Sequence, residues 1–244
     1  MYLLDQYPQP TEWDFLLDNN VLHPKNLWND MRRKYYLLSS IGYIIHSEKL
    51  EMWLNNIDNV TALKNKKYVV IGLGARERKK KYPNNLLLSA LKQIQLIDTD
   101  MIFVLLGGAT EQTNEFDNTD INILNLIDKL TILESARVIQ DAYCYIGNDT
   151  ALIHIAEAFD IPIIGLYAEA KDKMDDNPGL LSSIYRFAPV NVSHFKLLQP
   201  NTSLLPCKNI HAHGGCSVAE AHCITQIKPV DIWNAFILIN KGDS

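Results

Sequence analysis

The sequence predicts an α/β fold with a Rossmann-like, doubly wound and mainly parallel sheet, and three observations lead there. Short apolar runs rich in β-branched residues recur from residue 68 onward. Helix-patterned segments separate them. Glycine, lysine and acidic residues gather where those runs end. A strand covered on both faces reads as a continuous apolar run rather than an alternating one. Strands alternating with helices imply right-handed βαβ units and a parallel sheet.

The elements follow in order. Pro8, Pro10 and Pro24 punctuate a loop-like start. Asn29 to Ser40 and Ser47 to Asn56 then carry helical apolar spacing through Met31, Tyr35, Leu38, Met52 and Trp53. Residues 1–65 thus read as a helical connector, and 66–244 as the sheet domain. Tyr68 to Leu73 is the first strand, and a basic loop, Pro83 and a helix over Asn85 to Ile97 follow. Met101 to Leu106 is the second strand and Ile121 to Leu124 the third. Thr131 to Asp141 is an amphipathic helix, Tyr143 to Ile146 a fourth strand, Thr150 to Phe159 a helix and Pro162 to Tyr167 a fifth strand. The remainder reads as loop-rich, closed by a helix over Pro229 to Ile239.

Composition narrows the class. The 244 residues are 47% hydrophobic and 21% charged, ordinary for a globular protein with a sizeable core. A formal charge of −5 argues against broad nucleic-acid binding, which needs a basic face. No apolar run approaches the roughly 20 residues of a membrane span. Met1 to Gln6 lacks the basic start and apolar core of a signal peptide, which predicts a cytoplasmic protein. Of four cysteines, Cys144 lies in an apolar strand and reads as a buried thiol. Cys207, Cys216 and Cys223 cluster with His211, His213 and His222 at a spacing looser than zinc pairs use, so local packing is the expected role and no metal is assigned.

Ligands on such sheets sit at the carboxyl ends of the strands. Three loops there carry unusual chemistry. The first is Gly72 to Pro83, where Gly72 and Gly74 let backbone approach a ligand and a run of cations follows. Its spacing matches neither a P-loop nor a dinucleotide fingerprint. One lysine aimed into the site neutralises a diphosphate, and the rest form a solvated turn. The second is Gly107 to Glu111, whose carboxylate suits ribose hydroxyls or, equally, a helix N-terminus. The third is Gly147-Asn148-Asp149-Thr150, leading into Ala151 to Ala158. Backbone N–H groups and the helix dipole there suit a phosphate, and the carboxylate suits sugar hydroxyls. The same residues also serve as a helix N-cap. On the following helix, Leu152, Ile155, Ala156 and Phe159 form the expected core face, with Thr150, His154 and Ala158 elsewhere.

Together these loops resemble glycosyltransferase family 9, the ADP-heptose:lipopolysaccharide heptosyltransferases. Asn148 to Ala156 is similar to the family's Asp-Thr/Ser-Gly-x-x-His-x-Ala pattern, Lys80 to Pro83 to its Lys-x-Trp-Pro, and Gly107 to Glu111 to its Gly-Gly-x-x-Glu. Leu130 to Ala136 and the cysteine-bearing tail also match in order. The resemblance implies a GT-B fold, of which this chain carries the C-terminal, donor-binding half. It implies a nucleotide-sugar donor like ADP-heptose, an acceptor of lipopolysaccharide-core type, peripheral contact with the inner membrane, and inverting transfer without a metal or other cofactor. Lys80 would neutralise the diphosphate, Glu111 hold the ribose and Leu130 pack near the base. Asp149 would bind hydroxyls of the transferred sugar, and Thr150, Ala151 and Leu152 would offer backbone or hydroxyl contacts to phosphate. Helix spacing puts His154 one turn above Thr150, near that pocket, where orienting a loop by hydrogen bonds is the expected role rather than direct chemistry. The catalytic base belongs to the N-terminal half, for which residues 1–65 are too few. Ala151 stands where the family has glycine, and Ala168-Glu169-Ala170 where it has Gly-Pro-Thr. Those departures leave a non-catalytic sugar-nucleotide-binding module as the alternative.

Overall fold

The computed structural model describes residues 49–55, 57–172, 183–190, 192–205 and 220–241, with shorter pieces at 34, 38–39, 42–44, 47 and 218. Six strands form one parallel sheet: β1 (Tyr68–Gly72), β2 (Ile102–Leu106), β3 (Ile123–Asn125), β4 (Cys144–Asn148), β5 (Ile163–Leu166) and β6 (Phe195–Leu198). Their spatial order is β3-β2-β1-β4-β5-β6. The order reverses between β1 and β4, and Gly72 pairs with Gly147 at that point. Chain reversal there opens the crevice that such folds use for ligands.

The helices are α1 (Asn84–Gln95), α2 (Ile132–Gln140), α3 (Ala151–Ala158), α4 (Ser183–Phe187) and α5 (Pro229–Lys241). Alternation along β1 divides the core. Val69 and Ile71 face one side with Leu87, Ala90, Leu91 and Ile94 of α1 and Ile232, Ala235, Phe236 and Ile239 of α5. Both helical sets follow the i, i+3, i+4, i+7 spacing that makes one stripe. Tyr68 and Val70 face the other side with Val138 and Ile139 of α2 and Ile153 and Ala156 of α3. Thr131 starts α2 with a capping box: its hydroxyl accepts from the Glu134 N–H, and the Glu134 carboxylate accepts from the Thr131 N–H.

Several expectations are corrected. Residues 49–55 are not helical, although Ser47 to Asn56 carries helical spacing. Trp53 is 77% exposed there, so the apolar spacing meets no surface that would stabilise a short helix. Most of Asn29 to Ser40 lies outside the described residues; Lys34, Leu38 and Ser39 are helical. Packing of the sheet domain also reaches back past residue 66. Leu63 is buried, and Asn59 donates to the Tyr68 hydroxyl and to Asp141. The Tyr68 hydroxyl donates in turn to the Val138 carbonyl at 2.8 Å, and burial pushes its pKa up to about 12. The tail expected to be loop contributes β6 and α4. Finally, the buried face of α3 is Ile153, Ala156 and Glu157, with Leu152, Ile155 and Phe159 only half-buried. Apolar residues surround this short helix almost completely, so periodicity does not select a face.

Candidate functional site

The three loops meet at the carboxyl edge of β2, β1 and β4, on both sides of the topological reversal. A 3-10 turn at Arg78–Lys80 ends the first loop. Its next two residues are pinned by Tyr82, whose N–H donates to Asn148 Oδ1 at 3.0 Å and whose hydroxyl donates to the Ile227 carbonyl at 2.7 Å. Asn148 also donates through Nδ2 to the Leu73 carbonyl at 3.0 Å. A single buried amide therefore stitches the first loop to the end of β4. Both its hydrogen-bonding ends are used, as a polar group 3% exposed requires.

From that pinned turn, two consecutive lysines reach in opposite directions across β1. Lys80 Nζ lies 2.8 Å from Asp149 Oδ2, at the end of β4. Lys81 Nζ lies 2.8 and 2.7 Å from the two oxygens of Glu111, in the turn after β2. The carboxylates are 9% and 8% exposed and the lysines 25% and 27%. At such burial water screens the charges little, and losing one partner leaves the other charge poorly solvated. Lys80, Glu111 and Asp149 thus lie along one strand edge. Lys81 was not singled out by the sequence, because it fills the open position of the lysine motif and lies in a run that reads as solvated.

Two expectations about these loops change. Gly72 is not where a ligand approaches, because a Cβ there would collide with the Tyr145 hydroxyl. Gly147 is filled the same way, its Cβ position lying 2.6 Å from that hydroxyl and 2.8 Å from the Gly72 carbonyl. The two glycines admit an aromatic ring across paired strands. Gly74 is different, since its Cβ position meets nothing closer than 3.9 Å. Glu111 does not start a helix either; its N–H closes a turn onto the Gly108 carbonyl.

Thr150 occupies the N-cap position of α3 but makes no capping hydrogen bond through its side chain. Its buried hydroxyl sits beside the Tyr145 hydroxyl instead. Burial pushes the Tyr145 hydroxyl well up, Thr150 opposes that, and the Asp149 charge adds to it. Tyr167 moves the same way, through burial first and then Asp149, Tyr145 and Glu157. Both phenols stay neutral beneath the carboxylate. Ala151 is exposed and takes an ordinary helical backbone, so the left-handed conformation that would penalise alanine does not arise. Leu152 is half-buried beside it.

His154 faces its own helix more than the lysines. Its Nδ1 lies 2.9 Å from Glu157 Oε2, and Glu157 Oε1 accepts from the Val190 N–H at 3.0 Å. This holds His154 on the flank of α3. Leu130 packs, half-buried, against the core on the α2 and α3 side of the sheet. In the altered loop after β5, Glu169 accepts from the Ile184 N–H of α4 at 3.3 Å.

Cys207, Cys216, His211 and His213 lie outside the described residues, while Cys223 is buried and its sulfur accepts from the Leu204 N–H. Burial alone pushes the Cys144 thiol far up, so it is inert packing. Among the described residues no helix is long and apolar enough to cross a membrane.

A comparison with curated proteins finds no match. Solved structures do match. Heptosyltransferase II of E. coli, an ADP-heptose lipopolysaccharide enzyme, aligns at a TM-score of 0.51 and 16% identity, over 86% of this chain and 52% of its own. A family 9 glycosyltransferase from Veillonella parvula DSM 2008 aligns at 0.53 and 15%, over 88% and 52%. E. coli heptosyltransferase WaaC, solved with ADP-2-deoxy-2-fluoro heptose, aligns at 0.51 and 16%, over 87% and 55%. At these identities the likeness is one of fold, the α/β architecture of GT-B glycosyltransferases. This chain spans about half the length of each of these proteins. The sequence itself matches the model of glycosyltransferase family 9 (heptosyltransferase) over residues 6–178, well over half of its length, and the chain therefore belongs to that family.

Proposed function

We propose that the described residues form the donor-binding half of a heptosyltransferase-like enzyme that uses a nucleoside-diphosphate sugar. The observation that carries this reading is the pair of lysines straddling β1, each set against a carboxylate at the site of strand-order reversal. A sugar nucleotide offers matching chemistry: a diphosphate for the ammonium groups, and ribose and sugar hydroxyls for Glu111 and Asp149. Charge-assisted hydrogen bonds of both kinds are the stronger class. Exposed Ala151 and the start of α3 supply backbone N–H groups and a positive helix end for the phosphates. Leu130 supports the base.

In the transfer step this half holds the leaving nucleoside diphosphate. Its growing charge as the glycosidic bond breaks is stabilised by the lysines, which are in place beforehand. ADP-heptose is the proposed donor, since WaaC was solved with a fluorinated ADP-heptose. A lipopolysaccharide-core sugar reached from the cytoplasmic face of the membrane is the proposed acceptor. The base that takes the acceptor proton belongs to the acceptor side and is not assigned to a residue of this chain.

Calorimetry with ADP-heptose, ADP and UDP-sugars tests the reading. Binding of an adenine nucleotide that weakens at least tenfold in Lys80→Ala and in Asp149→Asn is expected. A folded sample that binds none of these ligands contradicts it.

A further inference from the structure

The family resemblance gives one lysine to the diphosphate, whereas the structure aims two into the site. Lys81 bonds both oxygens of Glu111, the carboxylate proposed for the ribose. A carboxylate so engaged has one acceptor site of each oxygen committed to the ammonium, so a ribose diol competes with Lys81 for the same carboxylate. Lys81 therefore has a role that opposes or assists the donor depending on which part of it arrives.

The geometry points to Lys81 as a second diphosphate ligand that also guards the ribose subsite, releasing Glu111 only to a ligand that brings a diphosphate; we infer that it sets the site's preference for nucleotides over nucleosides. This inference rests on the donor-site reading above. Three observations support it. Lys80 and Lys81 leave one backbone turn that Tyr82 fastens through Asn148 and Ile227, so neither stem has to travel far to move its ammonium group. Glu111 is 8% exposed, which makes its ammonium partner worth keeping until another hydrogen-bond donor arrives. Charge bookkeeping agrees: Lys80, Lys81, Asp149 and Glu111 sum to zero, so a diphosphate adds its negative charge to a neutral site. Without Lys81 the same site would already be negative and would repel it.

A nucleoside and a nucleoside diphosphate then respond in opposite directions. A nucleoside competes with Lys81 for Glu111 and gives the ammonium nothing in exchange. A nucleoside diphosphate replaces the carboxylate with phosphate oxygens, and the freed carboxylate accepts the two ribose hydroxyls. No bond is made or broken in this exchange; only ion pairs and hydrogen bonds change partners.

Ligand-observed NMR and calorimetry on the full chain test this with adenosine, ADP, uridine and UDP. Lys81→Met keeps the apolar stem, and Lys81→Arg keeps the charge; thermal melts establish that both variants are folded. In Lys81→Met, diphosphate affinity is expected to fall tenfold or more while affinity for the matching nucleoside rises severalfold. Lys81→Arg should keep most of the diphosphate affinity. Equal losses for nucleoside and diphosphate in Lys81→Met would mean that Lys81 only scaffolds Glu111, and would overturn the inference. Unchanged diphosphate binding would overturn it as well. If the wild-type protein, folded, binds neither diphosphate, the donor-site reading itself falls and takes this inference with it; that outcome is recognised without any variant.

Discussion

Gly72 and Tyr145 act as one unit, because the ring of a residue on β4 occupies the space that any side chain on β1 would need. Packing extra atoms into a tight core typically costs about 1–3 kcal/mol. Gly72→Ala should lose stability in that range by urea unfolding, and in a Tyr145→Val background, which carries its own cavity cost, the same substitution should cost much less, since the valine leaves room for the methyl. Independent, additive losses in that double-mutant cycle would refute the coupling. At this scale the sequence was partly legible. The strand-end rule pointed to the loops that carry Lys80, Glu111 and Asp149, and the family resemblance picked those three residues out of them. Lys81 was not among them, because a run of cations gives no sign of which one turns inward. Gly72 was assigned to a ligand because glycine records only that space is needed, not what fills it.

The strands and main helices fall where hydrophobic patterning places them, with ends differing by one or two residues. β6 escaped because Phe195-Lys196-Leu197-Leu198 is short, half-exposed throughout and lacks β-branched residues. The link between α3 and β6 is instead held by polar contacts that periodicity ignores. Asp160, just after α3, has a backbone φ of 53°. It accepts from the Ser193 N–H at 2.8 Å and from the Ser193 hydroxyl, and pairs with Lys49 at 3.3 Å. Burial would raise its pKa, but the Ser193 donors and the Lys49 charge outweigh it and hold it below the usual value. A lowered folded value means that this stabilisation is present above the unfolded carboxylate pKa and is lost as pH falls through the folded one. Asp160→Asn tolerates the left-handed backbone and should be mildly destabilised at neutral pH, with its deficit relative to wild type closing in acid. Asp160→Ala should lose roughly 1–2 kcal/mol more, because alanine lacks the local hydrogen bonding that lets aspartate and asparagine adopt that conformation. Denaturant titrations at neutral and acidic pH measure both; a deficit that widens in acid would contradict the assignment.

Across the whole molecule, a ligand held by loops from β1, β2 and β4 ties together elements far apart in sequence, so binding should be read out by global unfolding. A nucleoside diphosphate at a hundred times its dissociation constant stabilises the folded state by about 2.7 kcal/mol. A melt that rises with ADP in the wild type, and much less in Lys80→Ala, is the expected result; no rise at saturating ADP would contradict a site that spans the sheet. The parallel sheet was legible because strands alternating with helices leave few alternatives, and the strand-end rule singled out the loops after β1, β2 and β4. What remained hidden was the fastening between distant segments, which lives in hydrogen bonds rather than in patterns.

The Tyr82 hydroxyl, bonded to a carbonyl 145 residues away in sequence, has a consequence for the order of assembly. The sheet edge that bears both lysines can form once β4 has been made, but the turn that aims them lacks its second anchor until residue 227 has left the ribosome. A nascent chain stalled before that point would carry a recognisable parallel sheet and a loosely held pair of ammonium groups. Competence for the diphosphate would then be acquired only as the segment leading into α5 closes over Tyr82.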